Sequence, residues 1–423
     1  MISVTGLSAT IPRRLRLACG FALALSVAHP GFAQSGARPG YTLAELIELA
    51  RRDSPVLAVS VAEQSVARAG VVTARAYPNP EAGFEWGRTQ ARGDGASGYS
   101  PILAINQPIE NPWLRDARAR AADSRVELAQ LQTGATTSSL TAAIRRRFFD
   151  AVRLREEVQA FGEDLALTEQ IRERVAVRVR VGEGARFDLL RAESEVAVAR
   201  KNLDTARLRL RQASLELRRL VGPTLEEDFD VRSVPDELPV LLETDQGALR
   251  QAVLERNPDV VLARQEAQRA EHLLEVERNS VLPQVTLRAS QERDPAATIN
   301  RLGAIVSIPL LNRREGPIAE AKAQSQRARL ALELKRFEAQ AAFDAAWQGY
   351  RAASAQVRAI EGGILERARA VLDIAEAAYR FGERGILEFL DAQRQFRLVR
   401  NELIVARFEQ QSARAEIERL AGR

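Results

Sequence analysis

Two stretches of this 423-residue chain, lying 200 residues apart, repeat one ten-position apolar seam. The first runs Leu189, Ala192, Val196, Ala199, Leu203, Ala206, Leu210, Ala213, Leu217 and Leu220; the second runs Phe389, Ala392, Phe396, Val399, Leu403, Ala406, Gln410, Ala413, Ile417 and Leu420. The steps alternate between three and four residues, the a/d spacing of helices packed in a coiled coil, and Gln410 is the one polar member of the second seam. An isolated helix cannot bury such a seam, so each copy requires a partner helix alongside it. The pattern predicts one long helical hairpin present twice in the chain.

The duplication reaches beyond the seams. RVGEGARFDLLRAE from Arg180 and RFGERGILEFLDAQ from Arg380 share the 200-residue offset, and the copies end alike at Leu220–Gly222 and Leu420–Gly422. Pro55 precedes Pro80 by 25 residues, as Pro258 precedes Pro283, and Gln107–Ile109 corresponds loosely to Ile308–Leu310.

No proline falls between Pro112 and Pro223 or after Pro317, so two long intervals lack the commonest helix breaker. A helix from about Leu114 to Val181 would extend on the order of 100 Å. Its weak point is GATTSS at Gly134–Ser139, where bending or irregular backbone is expected. The return helix is half as long, so a shorter helix must continue its column. Val56–Ala76, preceded by a helix over Thr42–Arg52, fits in the first half; Asp259–Asn279 and Gly247–Arg256 fit in the second.

Four segments read as strands: Glu81–Arg88, Tyr99–Gln107, Gln284–Glu292 and Leu302–Pro309. They form two hairpins of a length suited to tilted membrane strands. Four strands cannot close a barrel and open edges are not tolerated in lipid, so several chains must contribute to one barrel. The expected plan is a leader over 1–33, a first repeat over 34–222, an acidic, proline-containing connector over 223–246 read as a solvated linker, and a second repeat over 247–423. Within the repeats, β-hairpins cover about 81–107 and 284–309, and helical hairpins about 114–221 and 317–421.

The leader reading rests on Arg13, Arg14 and Arg16, an apolar run from Leu17 to Ala28, and Gly31-Phe32-Ala33 before Gln34. The run is too short to cross a bilayer. Cys19 lies before most of the run, with Arg16 three positions upstream, which is unlike a lipoprotein signal. Beyond the leader there is no Cys or Met, and His272 is the only histidine, so neither a disulfide framework nor a soft-metal ligand set is available. His272 reads as a surface or packing residue. The formal charge of +5 includes the three leader arginines, and acids are interspersed with the remaining bases, a balance that argues against nucleic-acid binding. No Walker-type loop or catalytic constellation is present, so no enzyme and no cofactor is expected.

Signal peptide, duplicated hairpins, one β-hairpin per half and the two tip motifs together resemble the outer membrane efflux protein (TolC) family over essentially the whole mature chain. YRFGERGILEFLDAQR and the Arg/Ala-rich helices are most similar to the CzcC-type channels of heavy-metal RND pumps. The resemblance implies a mainly α fold: a homotrimer whose helices form a periplasmic α-barrel and whose twelve strands form one β-barrel in outer membrane lipid. It also implies a passive efflux duct, engaged by a periplasmic adaptor and an inner membrane RND-type pump. Tyr379, Arg384, Glu388 and Asp391 fall where the family has its gate tyrosine, gate arginine and two constriction acids, and Asp188 falls on the first-repeat gate partner. Phe187 departs from the small hydroxyl residue often found in the matching gate position. Gly182 and Gly184, with Gly382 and Gly385, suit tight reversals, and in related channels these turns meet the adaptor. Glu388 and Asp391, at i and i+3, also fit a solvated helix face. A type I protein-secretion outlet and a periplasmic coiled-coil adaptor or scaffold remain alternatives.

Overall fold

The computed structural model describes residues 39–232, 241 and 245–422; the leader and part of the connector lie outside the described residues. One order of elements occurs twice. The first half contains α1 (Leu43–Asp53), α2 (Pro55–Arg75), β2 (Glu81–Thr89), β3 (Gly98–Ile109), α3 (Pro112–Arg180) and α4 (Arg186–Val221). The second contains α5 (Gln246–Arg256), α6 (Pro258–Asn279), β5 (Gln284–Arg293), β6 (Thr298–Ser307), α7 (Glu315–Ala359), α8 (Leu365–Arg380) and α9 (Ile386–Leu420). A two-residue parallel pairing joins β1 (Gly40–Tyr41) to β4 (Asp230–Val231).

Local chemistry fixes the helix starts. Thr42 and Glu45 form a reciprocal capping box on α1. Asn111 caps α3 and Asn257 caps α6, each followed by proline at the first helical position, where its missing N–H costs no hydrogen bond. α3 is a single helix of 69 residues, about 100 Å long. The expected irregularity at Gly134–Ser139 is absent. The hydroxyls of Thr136 and Thr137 bond back to the carbonyls of Gln132 and Thr133 at 2.8 Å each, while the neighbouring Thr133 hydroxyl meets Ser60 and Gln64 of α2 at 2.8 and 2.7 Å. Docking of α2 thus holds a segment of poor helix propensity in line.

The break comes instead in the second half, where a π-helical turn over Ile360–Ile364 separates α7 from α8 and Gly363 has φ 131°. Ile360 remains buried against Val357, Val399 and Leu403, so the turn restores the apolar seam after the kink.

In each half the return helix abuts the junction of the two short helices. The Ser54 hydroxyl donates to the Leu220 carbonyl (3.3 Å) at the end of α4, and the Asn257 side-chain amide donates to the Leu420 carbonyl (3.0 Å) at the end of α9. The column of α4 is thereby continued by α2, and that of α9 by α6. Beside each junction lies an apolar core: Leu46, Ile144, Phe148, Leu217 and Val221 in one half, and Val253, Phe343, Trp347, Ile417 and Leu420 in the other. The start of the connector departs from the expected solvated linker. Leu225, Phe229 and Val231 enter the first core, with Phe229 edge-on to Tyr41 at 6.1 Å, because three apolar residues are spaced among the acids that dominate its composition. His272 lies between α6 and α3, its Nδ1 2.5 Å from the Ser124 hydroxyl.

The four long strands form one antiparallel sheet in the order β2-β3-β5-β6. β6 begins four residues earlier than expected, since a tight turn over Asp294–Ala297 lets Arg293 pair directly with Thr298. Register assigns the faces, because paired residues project to the same side. Phe84, Trp86, Tyr99, Leu103, Leu287, Leu302 and Val306 share one face; Glu85, Ser100, Asn106, Arg288, Glu292 and Arg301 share the other, together with Ile102, Ile299 and Ile305. On the polar face Arg288 meets Glu85 (3.7 Å) and Arg301 pairs with Glu292. On the apolar face Trp86 packs against Phe84 and Tyr99 at ring separations of 6.0 and 5.2 Å.

Candidate functional site

The site lies at the ends of the helical hairpins farthest from the sheet. Both tips turn in the same way. The N–H groups of Gly182 and Glu183 donate to the carbonyls of Val179 and Arg178, and those of Gly382 and Glu383 to Tyr379 and Ala378. Gly182 (φ 83°) and Gly382 (φ 78°) adopt the left-handed conformation that ends each descending helix. The other two glycines play different parts: Gly385 is the extended N-cap of α9, and Gly184 lies within the first turn with negative φ, where the second tip carries Arg384.

An apolar cluster joins the two tips. Ile171 and Val175 of α3, Ala192 of α4, Leu372 of α8 and Ile386, Phe389 and Phe396 of α9 pack together, and Tyr379 is buried among them. Its ring stacks on Phe389 at 6.1 Å, and the Arg178 guanidinium lies 5.9 Å from its centroid. Burial pushes the Tyr379 hydroxyl above the ordinary tyrosine range; Arg178, adjacent and hydrogen-bonded, opposes that shift, while Asp188 adds to it. Tyr379, Arg178 and half-buried Asp188 therefore share one electrostatic environment. Nearby ion pairs bridge the hairpins, Arg174 to Glu376 at 3.6 Å and Arg394 to Glu195 at 3.8 Å.

Arg384, Glu388 and Asp391 are exposed and stand apart from this cluster within the protomer. Glu388 and Asp391 lie about one helical turn apart on α9. Sequence reasoning missed Arg178 and Phe389 as neighbours of Tyr379. Phe389 was visible as a seam residue, but its stacking partner was not; Arg178 is one of several arginines near the tip and carried no distinguishing signal.

Higher up the helices, the buried Asp164 carboxylate meets Arg400 at 2.9 Å, and Gln393 donates to Thr168 at 3.2 Å. Burial raises the Asp164 pKa, and Arg400 with Arg397 opposes the rise.

Comparison with known proteins places this arrangement. The family described as outer membrane efflux protein matches residues 46–223 and again 249–423. The cobalt-zinc-cadmium resistance protein CzcC of Cupriavidus metallidurans is 26% identical and aligns over 93% of each chain. The pyoverdine export outer membrane protein OpmQ of Pseudomonas putida is 24% identical, over 83% of this chain and 79% of its own length. Among solved structures, CusC superposes with a TM-score of 0.75 at 18% identity, covering 90% of this chain and 91% of its own. VceC of Vibrio cholerae gives 0.74 at 19%, covering 90% and 96%. The sheet is accordingly an outer membrane element and the helices are periplasmic. The chain belongs to the outer membrane efflux protein family, whose members are channels.

Proposed function

We propose that three copies of this chain close into a duct that carries substrate passively from the periplasm to the exterior. The observation carrying this reading is that the sheet and the helical layer are open on the same two flanks. β2 and β6 end the sheet, while the α2/α4 column and the α7/α8 helix end the helical layer. Each helical flank exposes apolar side chains: Val56, Val59, Val66 and Leu208 on one, Leu330, Leu334, Phe337 and Ile374 on the other. Two different flanks joining head to tail generate a closed ring when the rotation matches, and a ring removes every strand edge.

α2 is long and apolar enough to cross a bilayer, but it continues a periplasmic column. The contact with the next copy accounts for its exposed valines. In this reading the polar face of the sheet lines the barrel and the aromatic face meets lipid.

At the tips, Tyr379, Arg384 and Asp188 restrain the closed end, and Glu388 and Asp391 line it. Arg384, exposed and apart from the cluster within one copy, is assigned to contact an adjacent copy. Threefold repetition of the two acids concentrates negative potential on the axis and favours cations. The turns at Gly182, Gly184, Gly382 and Gly385 meet the periplasmic adaptor, through which an RND-type pump supplies the energy. Heavy-metal cations are the proposed cargo, on the strength of the full-length similarity to CzcC.

Detergent-extracted protein should have the mass of three chains and form cation-preferring pores in planar bilayers. Deletion in its host should lower resistance to cobalt, zinc or cadmium. A stable soluble monomer would overturn the duct, and unchanged resistance would overturn the cargo.

A further inference from the structure

The four arginines of the membrane sheet divide by face, and the division leaves two without acidic partners among the described residues. Arg288 and Arg301 lie on the polar face, each beside a glutamate. Arg88, paired in register with Tyr99, and Arg293, paired with Thr298, lie on the aromatic face. Both are exposed, and among the described residues neither makes a side-chain ion pair. The nearest loop carboxylate, Asp294, is engaged elsewhere: the hydroxyls of Thr89 and Ser100 donate to it at 2.8 and 3.0 Å. Asp94, the other acid of this end, lies in the β2–β3 loop beyond the last strand pair.

The two arginines lie near the same end of the sheet, offset by two residues: continuing the β3–β5 register sets Arg293 level with Pro101 and Trp86, two residues from the level of Arg88 and Tyr99. Arg88 is one residue from the end of β2 and Arg293 is the last residue of β5, so both lie beside the hairpin loops, at the end of the sheet opposite the helices. With the helices in the periplasm, that end meets the outer leaflet. Two strand spacings across the sheet and two residues along it separate them, roughly 12 Å in all. Trp86 and Tyr99, on the same face, occupy the aromatic position expected at a membrane interface. A guanidinium facing lipid at this depth is unfavourable without a counter-charge, and the planar fork of arginine matches phosphate oxygens.

We propose that Arg88 and Arg293 form a binding site on the lipid-facing rim for the phosphate groups of an outer-leaflet lipid headgroup. The guanidinium groups clamp the phosphate while Trp86 and Tyr99 rest against the headgroup and the upper acyl chains. The site repeats once per copy around the barrel, so bound lipid forms a collar that fixes the depth of the sheet. The inference rests on the barrel orientation proposed above.

The test is native mass spectrometry of the detergent-solubilised full-length protein with added diphosphorylated lipid A, or with the same glycolipid after phosphate removal. The wild type should retain the phosphorylated form selectively. At roughly a fivefold contribution per arginine near an anionic surface, Arg88→Gln with Arg293→Gln should lower retention by about 25-fold. Arg88→Lys with Arg293→Lys should keep most of it, since the charge remains. Arg288→Gln and Arg301→Gln, on the opposite face, should leave retention unchanged. Excess inorganic phosphate should compete poorly if a membrane-anchored headgroup is the ligand; full displacement by millimolar phosphate would overturn the lipid assignment in favour of a free-phosphate site. Equal retention by the double glutamine variant, or equal loss in the opposite-face controls, would overturn the site. Oligomer mass and pore conductance, measured on the same samples, report separately on the duct.

Discussion

Gly222, where α4 meets the α1–α2 junction, offers a sharp test of how the helical columns are built. It adopts φ 131° and ψ 175°, a region essentially reserved for glycine. A Cβ added there would lie 2.7 Å from the Asp53 carbonyl oxygen and 3.2 Å from its carbon, both backbone atoms that no rotamer change can remove. Gly222→Ala therefore incurs backbone strain of about 1–3 kcal/mol, and relieving the clash must also separate α4 from α2. The combined loss should be about 3 kcal/mol, with the Ser54–Leu220 hydrogen bond weakened as a consequence.

Gly134→Ala is the control. It lies inside α3 with nothing within 4 Å of the added Cβ, and should gain up to about 1 kcal/mol from helix propensity. The assay is denaturant unfolding followed by far-ultraviolet circular dichroism on the assembled protein. Asp53→Ala, which removes the side chain but leaves the carbonyl, should not rescue Gly222→Ala. A Gly222→Ala protein as stable as wild type, or a rescue by Asp53→Ala, would refute the reasoning.

At the tips, Arg384→Ser combined with Tyr379→Phe should raise single-channel conductance in planar bilayers. Tyr379→Phe alone should cost little stability, because the stack on Phe389 survives. Neutralising Glu388 and Asp391 as Gln and Asn should weaken cation preference and block by multivalent cations; unchanged selectivity would leave them as solvated helix residues. In the sheet, Leu302→Arg places a charge on the lipid face and should reduce outer membrane assembly, at about 2–4 kcal/mol near mid-membrane, whereas Ser290→Arg on the polar face should be tolerated, as immunoblots of membrane fractions would show. Asp164 has a raised pKa in the folded state, so it binds its proton more readily folded than unfolded. Its contribution to stability should rise as pH falls from above the folded pKa toward the ordinary carboxylate range, the reverse of the usual carboxylate. Comparing wild type with Asp164→Asn at pH 7 and 4.5 should show the difference shifting in favour of wild type at the lower pH.

Much of the architecture was legible because it is periodic. Seams of alternating three and four residues specify long paired helices whatever surrounds them, and the 200-residue offset exposes the repeat without reference to a fold. Where local chemistry was weak or ambiguous, packing decided. GATTSS remains helical because α2 exchanges hydrogen bonds with Thr133 at its start, while Gly362-Gly363, which the seam reading passed over, breaks the partner helix. Leu225, Phe229 and Val231 were hidden in an acidic composition until the first core took them in.

The candidate site divides along the same line. Motif position alone selected Tyr379, Arg384, Glu388, Asp391 and Asp188, and the turn glycines followed from the need to reverse a helix. That Tyr379 lies against Phe389 and Arg178, while Arg384 and the two acids face outward, is a property of two hairpins brought side by side from opposite halves of the chain. The sequence by itself determined the long helices and the hairpin strands, because each depends on residues a few positions apart, and the repeat, because the same local pattern recurs 200 residues on. Strand register, and with it the division of arginines between a polar and a lipid face, was decided only in the tertiary structure. A one-residue slip exchanges the two faces of a strand, and only pairing across the sheet fixes which one each side chain joins.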